Sequence, residues 1–149
     1  MLFRRVVILV VTGVLLGLAW NALSGRGMSL TRHAFIHEGD EIIDVAEAKR
    51  RFDRGALFID ARARIVFEFG HVPGAVPLPE TEFESAFPSL ERVLRGRLDI
   101  VVYCDGYGCE SSHIVARKLK KEGIPAVVLD NGLPSWVETG YPTKTGAVS

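Results

Sequence analysis

Apolar positions along the chain follow two patterns. Val6 to Leu23, VVILVVTGVLLGLAWNAL, is a continuous uncharged segment, about as long as a helix needs to be to cross a bilayer. From Glu41 onward the apolar runs are short and separated by polar, Gly- and Pro-marked stretches, which is the pattern of alternating strands and helices. Asp44 can cap a helix from Val45 to Arg54, and Gly55 stops it. Leu57, Phe58 and Ile59 then form a compact run ending at Asp60, consistent with a buried strand. Ala75 to Leu78 predicts a second short strand bounded by Pro79. Glu80 to Leu94 carries Phe83, Phe87, Leu90, Val93 and Leu94 at roughly helical spacing, with a break or kink expected at Pro88. Ile100 to Tyr103 is the strongest strand, followed by a helix from His113 to Glu122 with Val115 and Leu119 on one face and Ser111 or Ser112 as its cap. Ala126 to Leu129 gives another buried strand. Asn131 and Gly132 turn the chain, Pro134 and Ser135 open a last short helix, and Gly140 ends it. This alternation predicts an α/β fold: a small, mostly parallel sheet flanked by helices on both faces. The functional crevice of such folds lies at the carboxyl ends of strands, where Cys104 and Asp60 both fall.

The N-terminal run sets the expected location. Arg4 and Arg5 precede it, and the positive-inside rule then keeps the N-terminus in the cytoplasm and places everything after Ser24 on the far side. The expectation is a single-pass protein of the cell membrane with a periplasmic or extracellular domain. A cleaved signal peptide is the rival reading, because a basic start, an apolar centre and small residues at Ala22 and Ser24 fit it too; the run is longer than that pattern needs. A buried soluble helix is the third, although an all-round apolar helix at an N-terminus usually lies in a membrane. Residues 1–24 are therefore read as anchor or signal peptide, 25–40 as a Gly-, Ser-, Arg- and His-containing linker, and 41–149 as the folded domain. Lys and Arg together number 18 and Asp and Glu 18. With that balance and no basic stripe, no nucleic-acid partner is expected.

Candidate chemistry concentrates in Val101 to Ser112, VVYCDGYGCESS. Cys104 lies between a strand end and a helix start, where backbone N–H groups and the helix dipole favour a thiolate. Export to an oxidising compartment would let Cys104 and Cys109 pair. Metal binding has little support, since two thiols and a distant His71 lack the closely spaced third and fourth ligands of a zinc site. Serine hydrolase chemistry finds none either: there is no Gly-x-Ser-x-Gly elbow, and Ser111 and Ser112 read better as caps. A Cys-based phosphatase would need an Arg to hold phosphate, and the loop offers none. No cofactor is expected.

Four segments in register resemble the rhodanese-like domain family: LFIDAR (Leu57 to Arg62), FEFGHVPGAVPLP (Phe67 to Pro79), VVYC with its loop and helix, and VVLDNGLPSWVETGYP (Val127 to Pro142). The resemblance covers about Ile42 to Thr145. It implies a sulfurtransferase-type scaffold in which the cysteine after the central strand, here Cys104, takes a sulfane sulfur from a donor as a persulfide and passes it to a thiol or other nucleophilic acceptor, either of which can be protein-borne. The loop Asp105, Gly106, Tyr107, Gly108, Cys109, Glu110, Ser111 would wrap the sulfur and present backbone N–H groups as an anion-binding nest, and Gly106 and Gly108 suit it. Asp60 and Arg62 match the family's strand-end Asp-x-Arg and read as an ion pair that shapes the site. His71 matches the family's Gly-His and reads more readily as a residue satisfying backbone groups than as a proton carrier. Trp136 reads as core.

The sequence departs from the family pattern in three ways. With Ser112 at the family's helix-capping serine, the loop is longer than usual and makes a wider cradle. Loops that accept thiosulfate commonly carry Arg or Lys, whereas this one carries Asp105 and Glu110, which oppose the thiolate and repel a doubly anionic donor. Thiosulfate is therefore expected to be a poor donor, and a neutral or protein-borne persulfide a better one. The third departure is the Cys104-x4-Cys109 pair, with three readings open: Cys109 resolves a persulfide or sulfenate on Cys104; the two form a static disulfide; or Cys109 is a small buried residue with no redox role. Beside the transferase, two other functions stay open: a non-catalytic rhodanese-like binding module, and a thiol-disulfide sensor using both cysteines.

Overall fold

The computed structural model describes residues 2–23, 40–106 and 109–147. The chain divides into two compact units, Met1–Phe35 and Ile36–Ser149. In the first, Leu2–Leu23 is helix α1, and its window Phe3–Trp20 has a mean hydropathy of 1.9, long and apolar enough to cross a membrane. The linker expected at 25–40 lies outside the described residues except for Asp40.

In the second unit the elements run β1 (Ile42–Ile43), α2 (Val45–Asp53), β2 (Leu57–Asp60), α3 (Arg64–Phe69), β3 (Val76–Pro77), a single 3-10 turn (Glu80–Glu82), α4 (Phe83–Arg95), β4 (Ile100–Tyr103), α5 (Ser111–Lys121), β5 (Val127–Leu129) and α6 (Gly132–Glu138). The five strands form one sheet in the order β1-β5-β4-β2-β3. Every pairing in it is parallel, with Asp60 opposite Tyr103 and Val102 opposite Val128.

Both faces of this sheet are covered, which is why its central strands run as continuous apolar stretches rather than alternating, with Asp60 at the end of β2 the exception. All four residues of β2 and of β4 are buried. Successive side chains still point to opposite faces. Leu57, Ile59, Ile100 and Val102 meet Phe83, Phe87, Leu94, Val115 and Leu119 of α4 and α5 on one side. Phe58, Val101 and Tyr103 meet Ala48, Phe67 and Trp136 of α2, α3 and α6 on the other. Burying a side chain such as Val102 or Leu119 contributes about 1.5–3 kcal/mol each, so the two layers hold the carboxyl ends of β2 and β4 in register.

Local signals account for most element ends. Asp44 accepts a hydrogen bond from the Glu47 N–H at 2.7 Å and starts α2, and Gly55 at φ +86° leaves it. Two expectations are corrected. Pro88 does not break its helix: α4 runs unbroken from Phe83 to Arg95. Pro88 and Glu84, whose carbonyl loses its donor, are both exposed to water, while Phe83, Phe87 and Leu94 anchor the other side of the helix in the core. The predicted serine cap is also not used, because α5 begins at Ser111 itself, with Glu110 in the capping position and no side-chain cap.

Candidate active site

Cys104 leaves the end of β4 and is 3 % exposed. Its carbonyl accepts a hydrogen bond from Leu133 N–H at 2.8 Å, so the turn between β5 and α6 grips its backbone. That grip requires glycine at 132. Gly132 has φ +53°, and a Cβ there would run into the Cys104 carbonyl oxygen, lie 2.7 Å from its carbon and 2.9 Å from the Gly106 nitrogen. Gly106, at φ +108°, is nearly as confined, since a Cβ would sit 3.1 Å from the Asn131 oxygen and 3.2 Å from Pro134 Cγ. Asn131, at φ 58°, is the one non-glycine residue with positive φ among those described. The sequence marks Asn131 and Gly132 as a turn; that this turn clasps the cysteine loop comes only from the three-dimensional structure.

Cys109 returns to Cys104, and the two form a disulfide with Cα atoms 6.3 Å apart. The Cys109 N–H donates to the Gly106 carbonyl at 3.1 Å, so this N–H is used inside the loop. Tyr107 and Gly108 lie outside the described residues. Glu110 follows, and α5 starts at Ser111, which places Cys109 rather than Cys104 immediately before the helix N-terminus. The Ser111 hydroxyl donates to Glu80 Oε2 at 2.9 Å, and Ser112 is buried. Ser111 therefore ties α5 to the 3-10 turn, and neither serine caps the helix.

Two cations reach the loop: Arg62, expected to pair with Asp60 but not to reach Asp105, and Arg117, which sequence reasoning did not single out. Arg62 binds Asp60 through Nε at 2.9 and 3.1 Å and through Nη2 at 2.6 Å, and Asp60 Oδ1 also accepts the Arg62 backbone N–H at 3.0 Å. Asp60 is fully buried and Arg62 nearly so. Nη2 further donates to the Gly70 carbonyl at 2.6 Å and Nη1 to Asp105 Oδ1 at 3.3 Å. Burial works against the guanidinium charge, but the bonds and charge of Asp60 outweigh it and hold the Arg62 pKa above its ordinary value. Arg117 lies 3.1 Å from Asp40 and 3.6 Å from Glu110, and His113 Nδ1 lies 2.9 Å from the same Asp40 oxygen. Each arginine is thus shared by two carboxylates, so neither Asp105 nor Glu110 has its arginine to itself.

Tyr103, opposite Asp60 in the sheet, sits beneath this pair. Burial, and then the nearby Asp60 charge, push its phenol well above the ordinary tyrosine pKa, against a smaller opposing effect of the Val72 N–H, which donates to its hydroxyl at 3.2 Å. His71 is committed to the frame. Its Nδ1–H donates to the Phe67 carbonyl at 2.9 Å, its ring stacks on Phe67 at 3.7 Å, and its backbone pairs with Lys144. Trp136 is fully buried, its indole N–H donating to the Pro142 carbonyl. Among the described residues no group of three or more His, Cys, Asp or Glu converges in a metal-binding arrangement.

Comparison with known proteins places these features in context. A family model described as the rhodanese-like domain matches residues 44–139. An HTH-type transcriptional regulator of Mycobacterium tuberculosis is 31 % identical over 109 residues, which are 72 % of this chain and 46 % of the regulator; the chain spans less than half of that relative. The solution structure of a rhodanese-like domain from Anabaena superposes with a TM-score of 0.58 at 26 % identity, over 71 % of this chain and 80 % of that one. A thiosulfate sulfurtransferase from Pseudomonas aeruginosa shares the fold at a TM-score of 0.58 and 23 % identity, over 74 % of this chain and 22 % of that one.

Proposed function

The chain belongs to the rhodanese-like domain family, and from that premise we propose that it is a membrane-anchored, extracytoplasmic sulfurtransferase carrying sulfane sulfur as a persulfide on Cys104. The observation that carries this reading is the placement of Cys104: at the carboxyl end of the central strand, with its carbonyl held by Leu133. A nucleophile fixed in this way keeps its geometry through attack and release. The buried Asp60–Arg62 pair supports the loop from below through Asp105, a positioning role. The anchor is α1, oriented by Arg4 and Arg5.

The acidic surroundings select the donor. Asp105 and Glu110 flank the sulfurs, and each shares its arginine with a second carboxylate. A thiosulfate dianion is disfavoured there, and a persulfide of low net charge is accepted. Even ~1.4 kcal/mol of repulsion is a factor of about ten in rate.

The test uses the reduced full chain in detergent micelles as a Cys109→Ser variant, so that sulfur taken up stays on Cys104. Cysteine persulfide should add one sulfur by intact mass, and Cys104→Ser should abolish the gain. Thiosulfate should load the chain at least about tenfold more slowly, in line with that repulsion. A reduced chain that takes up no sulfur from either donor would instead be a binding module, and equal loading by thiosulfate would overturn the donor assignment.

A further inference from the structure

We propose that an outside acceptor is not the only exit for the sulfur: with both cysteines reduced, Cys109 expels it as hydrosulfide, so that the site reductively desulfurates persulfides and needs a dithiol to reset it. The inference rests on the persulfide reading of Cys104 and extends it to the fate of the sulfur. It is carried by the Cys104–Cys109 disulfide, which is the oxidised end state of such a reaction already accommodated by the fold.

Two balanced steps lead to that state. The Cys104 thiolate attacks the outer sulfur of a persulfide R–S–SH, the donor's S–S bond breaks, RS⁻ leaves as the thiolate, and Cys104 becomes Cys104–S–SH. The Cys109 thiolate then attacks Cys104 Sγ, the Cys104–Cys109 bond forms, the S–S bond to the outer sulfur breaks, and HS⁻ departs. The sulfane sulfur is reduced to sulfide by two electrons, and the two cysteine thiols supply them by becoming a disulfide. A dithiol reduces that disulfide by exchange and is itself left as a disulfide.

Three features of the fold favour the second step. Cys104 is held from behind by the Leu133 N–H, and the Gly106 carbonyl turns Cys109 back through a 3.1 Å hydrogen bond, so attacker and target are built into one short loop. A flexibly tethered thiol has an effective concentration on the order of millimolar, and a well-oriented one reaches ~10⁵ M or more, so Cys109 outcompetes a free thiol acceptor present at millimolar levels or below. Cys109 also directly precedes the N-terminus of α5, an 11-residue helix, whose dipole favours the attacking thiolate, against a partial opposing effect of Glu110, which shares Arg117 with Asp40. The site's place in a reaction sequence follows. Persulfide-forming chemistry must supply it, sulfide-consuming chemistry must follow it, and a thiol-disulfide oxidoreductase type of partner must return its electrons.

The test mixes the reduced full chain in detergent with cysteine persulfide without oxygen and without added thiol. Wild type should release stoichiometric sulfide, lose two hydrogens by intact mass and retain no added sulfur. Cys109→Ser should hold one added sulfur and release no sulfide. An added dithiol should make the wild-type reaction catalytic, and Cys109→Ser, whose persulfide the dithiol must attack directly, should release sulfide more slowly. If Cys109→Ser gains a sulfur and wild type keeps it too, the desulfuration is wrong and the persulfide reading stands. If Cys109→Ser gains a whole cysteine, the donor is being attacked at its inner sulfur and the proposed first step is wrong. If Cys109→Ser gains nothing, the persulfide reading itself falls.

Discussion

The Tyr103 hydroxyl joins three parts of the site at the level of single atoms. It accepts the Val72 N–H, it lies opposite Asp60 in the sheet, and Arg62 passes 5.8 Å above its ring. Its raised pKa turns this contact into a dependence of stability on pH. Above about pH 10 the unfolded chain loses the phenolic proton, whereas the folded chain keeps it because burial and Asp60 oppose the phenolate. The folded state then binds more protons than the unfolded one, so stability is full below that pH and falls by ~1.4 kcal/mol per pH unit above it for this group. Tyr103→Phe removes the titration and strands the Val72 N–H, at a cost of about 1–3 kcal/mol. In thermal unfolding of the full chain, the variant should be less stable than wild type at neutral pH, and the gap should narrow steadily above about pH 10. A gap that stays constant across that range would show that Tyr103 ionises equally in both states.

The β5–α6 turn is the element that orders the cysteine loop, and glycine comparison isolates its contribution. Gly55 and Gly132 both have positive φ, but a Cβ at Gly55 meets nothing within 4 Å, whereas one at Gly132 strikes the Cys104 carbonyl. Gly55→Ala should therefore cost only the left-handed backbone penalty of about 1–2 kcal/mol. Gly132→Ala should add a steric cost of about 1–3 kcal/mol and should slow sulfur uptake by Cys104, which Gly55→Ala should leave unchanged. Thermal midpoints and initial rates of mass gain in the Cys109→Ser background separate the two effects. The same element shows which features a sequence exposes. The strands β2, β4 and β5 were legible because a sheet covered on both faces writes itself as unbroken apolar runs, and Cys104 and Asp60 followed as strand ends. Helix α3, six residues long, and β1, two residues long, are too short for any period to register. Pro88 and Ser111 misled for another reason: tertiary packing and the Glu80 contact overrode a local preference. The Arg62 and Arg117 contacts to the loop join residues 43 and 7 positions apart, respectively; the first is invisible to any local pattern, and the second was hidden because α5 begins earlier than its serines suggested.

At the scale of the whole chain, location and redox chemistry constrain each other. A disulfide between Cys104 and Cys109 persists where thiols are oxidised and is kept open by cytosolic reductants, so in the proposed topology the orientation of α1 decides which state of the site is at rest. Arg4 and Arg5 are the charges that set this orientation in the proposed topology. The full chain expressed in bacterial cells should remain with the membranes through alkaline extraction, and trapping thiols at lysis should recover the cysteines as the disulfide. After mild reduction of intact spheroplasts, a maleimide that cannot cross the membrane should label them. Arg4→Glu/Arg5→Glu weakens the bias that holds the N-terminus inside and should shift part of the population to the reverse orientation, in which the cysteines are recovered reduced and are shielded from the same reagent. Release of a soluble product beginning near Ser24 would mean that the segment is a cleaved signal. Cysteines recovered reduced and shielded in the wild-type chain would place the domain in the cytosol, where the desulfuration cycle would draw on the reducing pool there and would need no dedicated partner.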